Sequence, residues 1–85
     1  MAEFVILHPK DNTAVMLVDG RAGKIYAGPG RKIKLIEHIP FGHKCALTPI
    51  RKGTVVKKYG EPIGQATREI RPGMHVHVHN VRGGK

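Results

Sequence analysis

"IRKGTVV" at residues 50–56 and "IRPGMHV" at residues 70–76 share the pattern I-R-x-G-x-x-V at an offset of 20 positions. Residues 39–42, "IPFG", repeat its first four places as I-x-x-G. Each copy offers an isoleucine suited to a core, two turn residues, and a glycine able to take a positive φ before a new strand. Three such corners predict a compact, folded-over β structure. They are too few and too irregular for a solenoid, and the general similarity of turns in small β proteins is an alternative explanation.

The rest of the chain fits the same all-β architecture. It has 85 residues, with eleven glycines and six prolines between strand-like runs, which is typical of short strands joined by tight turns. One domain of this size has a core that is only marginally stabilising, so we expect a partner subunit or a homo-oligomer. Residues 34–38 and 67–70 are each compatible with a helical turn. Predicted strands cover residues 4–7, 14–18, 24–27, 32–36, 44–47, 55–58 and 75–81.

The charge of the chain predicts an anionic partner. Fifteen lysines and arginines against six aspartates and glutamates give a net charge of +9, which attracts nucleic acids, acidic metabolites and acidic protein surfaces alike. The basic residues are spread along the chain, and the aromatic residues are two phenylalanines and two tyrosines. We therefore do not expect nucleic-acid binding, since a base-stacking platform would have few members.

The compartment predicted from the sequence is the cytoplasm. No apolar run approaches the roughly 20 residues that span a bilayer, so no membrane association is expected. The first residues lack the basic segment and the apolar run of a secretory signal. Cys45 is the only cysteine, and in a reduced compartment we expect it to be a buried structural thiol.

Three histidines are spaced two apart in "GMHVHVHN", residues 73–80. If this stretch is one strand with its valines facing the core, His75, His77 and His79 share the outward face, with alternate residues roughly 6.5 to 7 Å apart. Two of them can then ligate one ion, with further ligands from another strand. An exposed polar stripe or an interface is an equally good reading, and neutral imidazoles also serve as acid or base near neutral pH.

His43 and Lys44 follow the corner at residues 39–42 and lead into an apolar run. A histidine and a lysine at the mouth of a turn are able to bind a carboxylate, while a solvated loop is the simpler alternative. The sequence contains no phosphate-binding G-x-x-x-x-G-K-[ST] loop.

Four motifs in order resemble the N-terminal or small-subunit portion of the altronate and galactarate dehydratase family. They are HPKDN at residues 8–12, GHKxAL at 42–47, KYGEPIGxA at 58–66 and GxHVHxHN at 73–80. The resemblance covers nearly the whole chain. It implies a single SAF domain over residues 1–85, with the β-clip fold, which agrees with the many short strands predicted above.

The resemblance also implies an activity. Members of the family dehydrate sugar acids, aldonates or aldarates, to 2-keto-3-deoxy acids. They depend on a divalent metal, iron(II) or manganese(II), which binds carboxylate and hydroxyl together and stabilises the developing enolate. In this family a much larger domain carries most of the catalytic apparatus. We therefore expect a separate large catalytic subunit that holds most of the metal site, and little or no activity from these 85 residues alone.

Under this resemblance the histidine stripe and the corner before it face a shared active site. The predicted catalytic residues are His43, His75 and His77, of which His75 and His77 are also candidate metal ligands. The predicted substrate contacts, for an anionic sugar acid, are Lys44, His79 and Asn80.

The branch of the family is less sharply defined by the sequence. The ending at residues 75–80 looks like the altronate branch and like the small subunit of sulfolactate sulfo-lyase, whereas "LIEHIP" at residues 35–40 looks more like the galactarate branch. Thr48 and Pro49 stand where the family often has a polar residue and an aspartate. Two readings outside this activity stay open, namely a non-catalytic metal or small-ligand module and an RNA-binding β-domain.

Overall fold

The computed structural model describes residues 2–83, and these form nine short β-strands and no helix. The all-β prediction is confirmed, and the stretches at residues 34–38 and 67–70 form no helical turn. Strands β1 to β6 lie where strands were predicted, whereas β7 is not among the predicted strands. The strands are β1 Phe4–Val5, β2 Thr13–Met16, β3 Ile25–Gly28, β4 Arg31–Lys34, β5 Lys44–Ala46, β6 Val55–Lys58, β7 Glu61–Ala66, β8 His75–Val76 and β9 Val81–Gly83.

These strands form three antiparallel sheets. The central sheet has the order β1-β2-β5-β8, β3 pairs with β4 in a hairpin, and the third sheet has the order β6-β7-β9. Because side chains alternate across a strand, the two faces of the central sheet contact different cores. Cys45 packs into one hydrophobic cluster with Phe4 and Leu35, whereas its neighbour Ala46 packs into the other with Val56.

The three predicted corners have the backbone conformation that glycine allows. Gly42, Gly53 and Gly73 have φ angles of 83°, 87° and 86°, in the left-handed region that other residues rarely enter. The isoleucines three positions earlier are all buried, as the pattern predicted; they are Ile39, Ile50 and Ile70.

The corners are joined in pairs by backbone hydrogen bonds, which the sequence did not reveal. The N–H of Ile50 donates to the carbonyl of Ile70 and the reverse bond has the same length, 2.8 Å. Ile39 makes a similar exchange with Gly20, at the start of a fourth corner that the sequence analysis missed. A Cβ at position 20 would collide with the side chain of Leu35, so glycine replaces isoleucine there and the pattern is hidden.

The predicted strand at residues 75–81 is wrong as a single element. It consists of β8 and β9 separated by a turn at residues 77–80. Val76 is fully buried, as expected, but Val78 is 82% exposed. The histidines therefore do not form a regular stripe on one face of a strand.

Asn80 is the physical reason for this turn. Its side chain is fully buried, where its Oδ1 accepts the N–H of His77 at 2.9 Å and its Nδ2 donates to the carbonyl of His75 at 2.7 Å. Local bonds from an asparagine side chain compete with strand pairing in this way. Asn80 thus holds the turn with both ends of its amide, and its contact with a substrate stays a prediction.

The first and third of the four motifs contact each other across the molecule. Asp11 accepts the N–H groups of Tyr59 at 3.0 Å and Gly60 at 2.7 Å, in the β6–β7 turn. Asn12 accepts the N–H of Lys57 at 2.8 Å. These bonds join the loop before β2 to the third sheet, so these two motifs have a structural role.

Candidate active site

The second and fourth motifs meet in a cluster of histidines at the end of the central sheet. His43 precedes β5 and His75 begins β8, and the two strands pair with Cys45 opposite His75. This register brings Nδ1 of His43 to within 2.9 Å of Nε2 of His75. A hydrogen bond at this distance requires one ring to donate its N–H and the other to accept.

The turn after β8 brings the ring of His77 beside the rings of His43 and His75. Its ring centroid lies 4.5 Å from that of His43 and 5.3 Å from that of His75. One nitrogen from each of the three rings lies within 4.8 Å of the others. The structure thus groups the three predicted catalytic residues, with His43 contributing its ring from the start of another strand. His79, whose ring is 5.3 Å from that of His75, lies at the exposed edge of the cluster.

Glu37 is a member of the site that the sequence analysis missed. Its Oε2 accepts the backbone N–H of His75 at 2.7 Å, and the N–H of the preceding Ile36 donates to the carbonyl of Gly73 at 3.1 Å. The loop after β4 therefore supports the start of β8. No spacing rule connects residues so far apart in sequence, so no local signal identifies this contact.

The environment of the cluster favours neutral imidazoles. Burial, followed by the neighbouring His43 and His79, lowers the pKa of His75 to about 4. The pKa of His77 is also lowered, first by burial and then by His43 and Lys44. A neutral imidazole is the form that ligates a metal or accepts a proton, so His75 and His77 are suited to either use.

A groove adjoins the cluster. It has a volume of about 270 Å³. His77 lines the groove and also belongs to the histidine cluster, so a ligand in the groove would reach the imidazoles. The lining residues are Lys44, Ile63, His77, Val78, Val81 and Gly83.

The sequence also predicted a buried structural thiol at Cys45. Cys45 is fully buried, as predicted, and burial raises the pKa of its thiol to about 11, so it has a structural role.

In residues 2–83 no helix is long and apolar enough to cross a membrane. The cytoplasmic location stays a prediction.

Comparison with known proteins identifies one family model and relatives of two kinds, dehydratases and a sulfo-lyase subunit. The family model of the altronate/galactarate dehydratase SAF domain matches residues 2–84. Altronate dehydratase of Escherichia coli is 42% identical over 80 residues, which are 94% of this chain and 16% of the relative. The (2R)-sulfolactate sulfo-lyase subunit alpha of Chromohalobacter salexigens is 34% identical over 87 residues, covering 94% of this chain and 93% of that subunit. Galactarate dehydratase (L-threo-forming) of Escherichia coli is 39% identical over 71 residues, 81% of this chain and 13% of the relative.

Proposed function

Because the chain belongs to the altronate/galactarate dehydratase SAF domain family, we propose that it is the small subunit of a sugar-acid dehydratase of the altronate type. The reaction would remove water from an aldonate or aldarate and give a 2-keto-3-deoxy acid. The chain spans 16% of the altronate dehydratases it matches. We propose that a large catalytic subunit holds the remaining machinery. We expect the small subunit to be inactive alone.

The cluster of His43, His75 and His77 beside the groove carries this proposal. In the dehydration, a base takes the proton next to the carboxylate, and the hydroxyl of the next carbon leaves as water after it receives a proton. The reaction therefore needs one proton acceptor and one donor. The hydrogen bond between His43 and His75 uses one nitrogen of each ring. The other nitrogen is an acceptor on the ring that donates and an N–H donor on the ring that accepts, so the pair still offers both functions.

The same residues fit a divalent metal. Three imidazole nitrogens within 4.8 Å of one another are a donor set that suits iron better than manganese, since manganese prefers oxygen ligands. We propose that His75 and His77, together with His43, contribute ligands to iron(II) or manganese(II), and that the large subunit supplies the rest. The metal would polarise the carboxylate and hydroxyl of the substrate.

One relative favours a second candidate reaction. The chain covers 93% of a protein named (2R)-sulfolactate sulfo-lyase subunit alpha, so the likeness extends over nearly all of that subunit. This coverage supports a two-subunit enzyme and makes sulfolactate an alternative substrate. Galactarate is a third candidate because galactarate dehydratase is also a relative.

Reconstitution with a large subunit tests the proposal. The chain would be co-purified with a candidate large subunit, sought among the genes beside its own, and assayed on altronate, galactarate and sulfolactate with ferrous or manganous ion. We expect turnover of at least one acid. Failure on all three acids would contradict the proposal.

A double variant tests the cluster itself. His75→Ala combined with His77→Ala should leave the small subunit folded, by circular dichroism, and reduce kcat by about 100-fold or more, as expected for lost acid–base groups. His38→Ala is the matched control, because His38 is exposed and bonded to Asp19 outside the cluster. Equal turnover in the double variant and the control would show that the cluster takes no part in catalysis.

A further inference from the structure

The backbone of His75 faces the open edge of the central sheet. β8 is the last strand in the order β1-β2-β5-β8, and among residues 2–83 only β5 pairs with it. The N–H of Ala46 on β5 donates to the carbonyl of Met74 at 3.0 Å, and such bonding alternates along an antiparallel pair. His75, the next residue, therefore directs its N–H and its carbonyl away from β5, where a further strand would bond to them.

Two side chains take the place of that strand. The N–H of His75 donates to Oε2 of Glu37 at 2.7 Å, and the carbonyl of His75 accepts a hydrogen bond from Nδ2 of Asn80 at 2.7 Å. Hydrogen bonds to a carboxylate are stronger than those between neutral groups. The backbone at His75 is thus held from the open edge by a carboxylate and an amide.

The loop that carries Glu37 is anchored on both sides of the carboxylate. Leu35 and Ile39, two residues before and after it, are fully buried. The N–H of Ile36 donates to the carbonyl of Gly73 at 3.1 Å, which joins the loop directly to the residues that lead into β8. Glu37 itself is half-buried. The carboxylate therefore reaches β8 from a position that the core sets.

The contacts of the His75 ring depend on where its backbone lies. Nε2 of this ring is 2.9 Å from Nδ1 of His43, and the ring centroid is 5.3 Å from that of His77. Hydrogen bonds weaken steeply when their distance and angle depart from the preferred geometry. A misplacement of about 1 Å in a reacting group reduces turnover by about 100-fold, so the anchor of His75 bears directly on the chemistry of the cluster.

We propose that Glu37 is a positioning residue for the histidine cluster, whose carboxylate holds the backbone of His75 so that the imidazole meets the ring of His43. The proposal rests on the proposed function, since the rings that it concerns are the proposed acid and base. Glu37 acts through His75 and not on the substrate. Its role requires an acceptor oxygen at the right reach, and the negative charge alone does not fulfil it.

Three replacements of Glu37 separate the hydrogen bond from the charge. Glu37→Gln keeps an acceptor oxygen at the same reach but loses the charge. Glu37→Asp keeps the charge on a side chain that is shorter by one methylene, and Glu37→Ala loses both. The matched control is Glu69→Ala, which removes the same charge from an exposed residue.

The bond between the two rings is measurable on the full 85-residue chain without turnover. Long-range ¹H–¹⁵N spectra of the imidazoles, recorded above neutral pH with a chelator present, show which nitrogen of each ring carries the proton. We expect one fixed tautomer for each of His43 and His75 in the natural chain, in Glu37→Gln and in Glu69→Ala. Glu37→Asp and Glu37→Ala should show averaged tautomers, because the rings separate.

Other spectra would overturn the positioning role. They are averaged tautomers in the natural chain, fixed tautomers in Glu37→Asp, and averaging in Glu37→Gln as complete as in Glu37→Asp. If Glu37→Ala does not fold, the comparison of Gln with Asp still decides, since both keep a polar side chain at this position.

The reconstituted enzyme gives a second signature of positioning. Glu37→Asp should lower kcat by roughly tenfold or more while KM stays within about twofold, and Glu37→Gln should retain most of kcat. A change confined to KM, or an equal loss of kcat in both variants, would contradict the role.

The two proposals fail in different ways. If the reconstituted enzyme turns over none of the three acids, the dehydratase assignment is wrong, and the imidazole spectra still decide whether Glu37 positions His75. If the enzyme is active and Glu37→Asp leaves kcat unchanged, the positioning role is wrong and the dehydratase assignment stands.

Discussion

Burial and the neighbouring imidazoles strongly lower the pKa of His75. Its pKa is about 4 in the folded chain against an ordinary 6.5, so between these values the unfolded chain binds a proton that the folded chain does not. Stability contributed by neutral His75 is thus complete above about pH 6.5 and is lost as the pH falls toward 4. Urea unfolding from pH 8 to 4 with a chelator present should show this decline, and His75→Gln should reduce it. Identical pH profiles of both proteins would contradict the assigned cause.

The residues of the candidate site were predictable to different degrees. His75 and His77 were identified from their spacing, because short spacing on an extended chain implies proximity. Their convergence with His43 depends on the pairing of β5 with β8, which no local pattern contains. Glu37 was missed for the same reason, since its contact with His75 joins distant segments.

At the scale of elements, the turn at residues 77–80 depends on a single side chain. Asn80→Ala would leave the N–H of His77 and the carbonyl of His75 without their present partner. We expect a loss of about 2 kcal/mol in the free energy of unfolding, within the usual cost of unsatisfied polar groups. Chemical denaturation measures this loss.

Val78→Ser is the control in the same turn, because Val78 is 82% exposed. Its effect on the free energy of unfolding should stay within about 0.5 kcal/mol. Comparable losses in both variants would show that the asparagine bonds do not hold the turn.

The same turn explains why alternation predicted one long strand. The sequence H-V-H-V-H satisfies the period of two that marks a strand, yet the chain turns at His77. A buried asparagine supplies both a donor and an acceptor locally, and these replace the partners that a strand would need from a neighbour. The alternating valines predicted burial correctly for Val76 but not for Val78.

The corner glycines offer a matched pair of positions. Gly53 and Gly73 have φ angles of 87° and 86°, so alanine meets the same backbone penalty at both, about 1 kcal/mol. A Cβ at position 53 meets no atom within 4 Å, whereas one at position 73 would collide with the carbonyl oxygen of Lys34. Denaturation should therefore show a loss of about 1 kcal/mol for Gly53→Ala and about 3 kcal/mol or more for Gly73→Ala. Equal losses would mean that the loop after β4 moves away freely.

At the scale of the whole molecule, the sequence predicted the strands and corners but not their arrangement in three sheets. Strand and turn signals are local, whereas the order β1-β2-β5-β8 joins segments from both halves of the chain. The family resemblance supplied the fold name and the order of the motifs. It did not show that the first and third motifs fasten the sheets together through Asp11, while the second and fourth build the histidine cluster.

The distribution of aromatic residues over the molecule distinguishes the proposed enzyme from an RNA-binding domain. Phe4 and Tyr26 are buried, and the exposed Phe41 and Tyr59 belong to different turns, so residues 2–83 present no aromatic row on which bases can stack. The net charge of +9 should still attract RNA without sequence preference. We therefore expect affinity for a single-stranded oligonucleotide, measured by fluorescence anisotropy, to fall by about tenfold or more between about 50 and 200 mM salt, with no difference between sequences. Sequence-selective binding that persists at the higher salt would instead favour the RNA-binding reading.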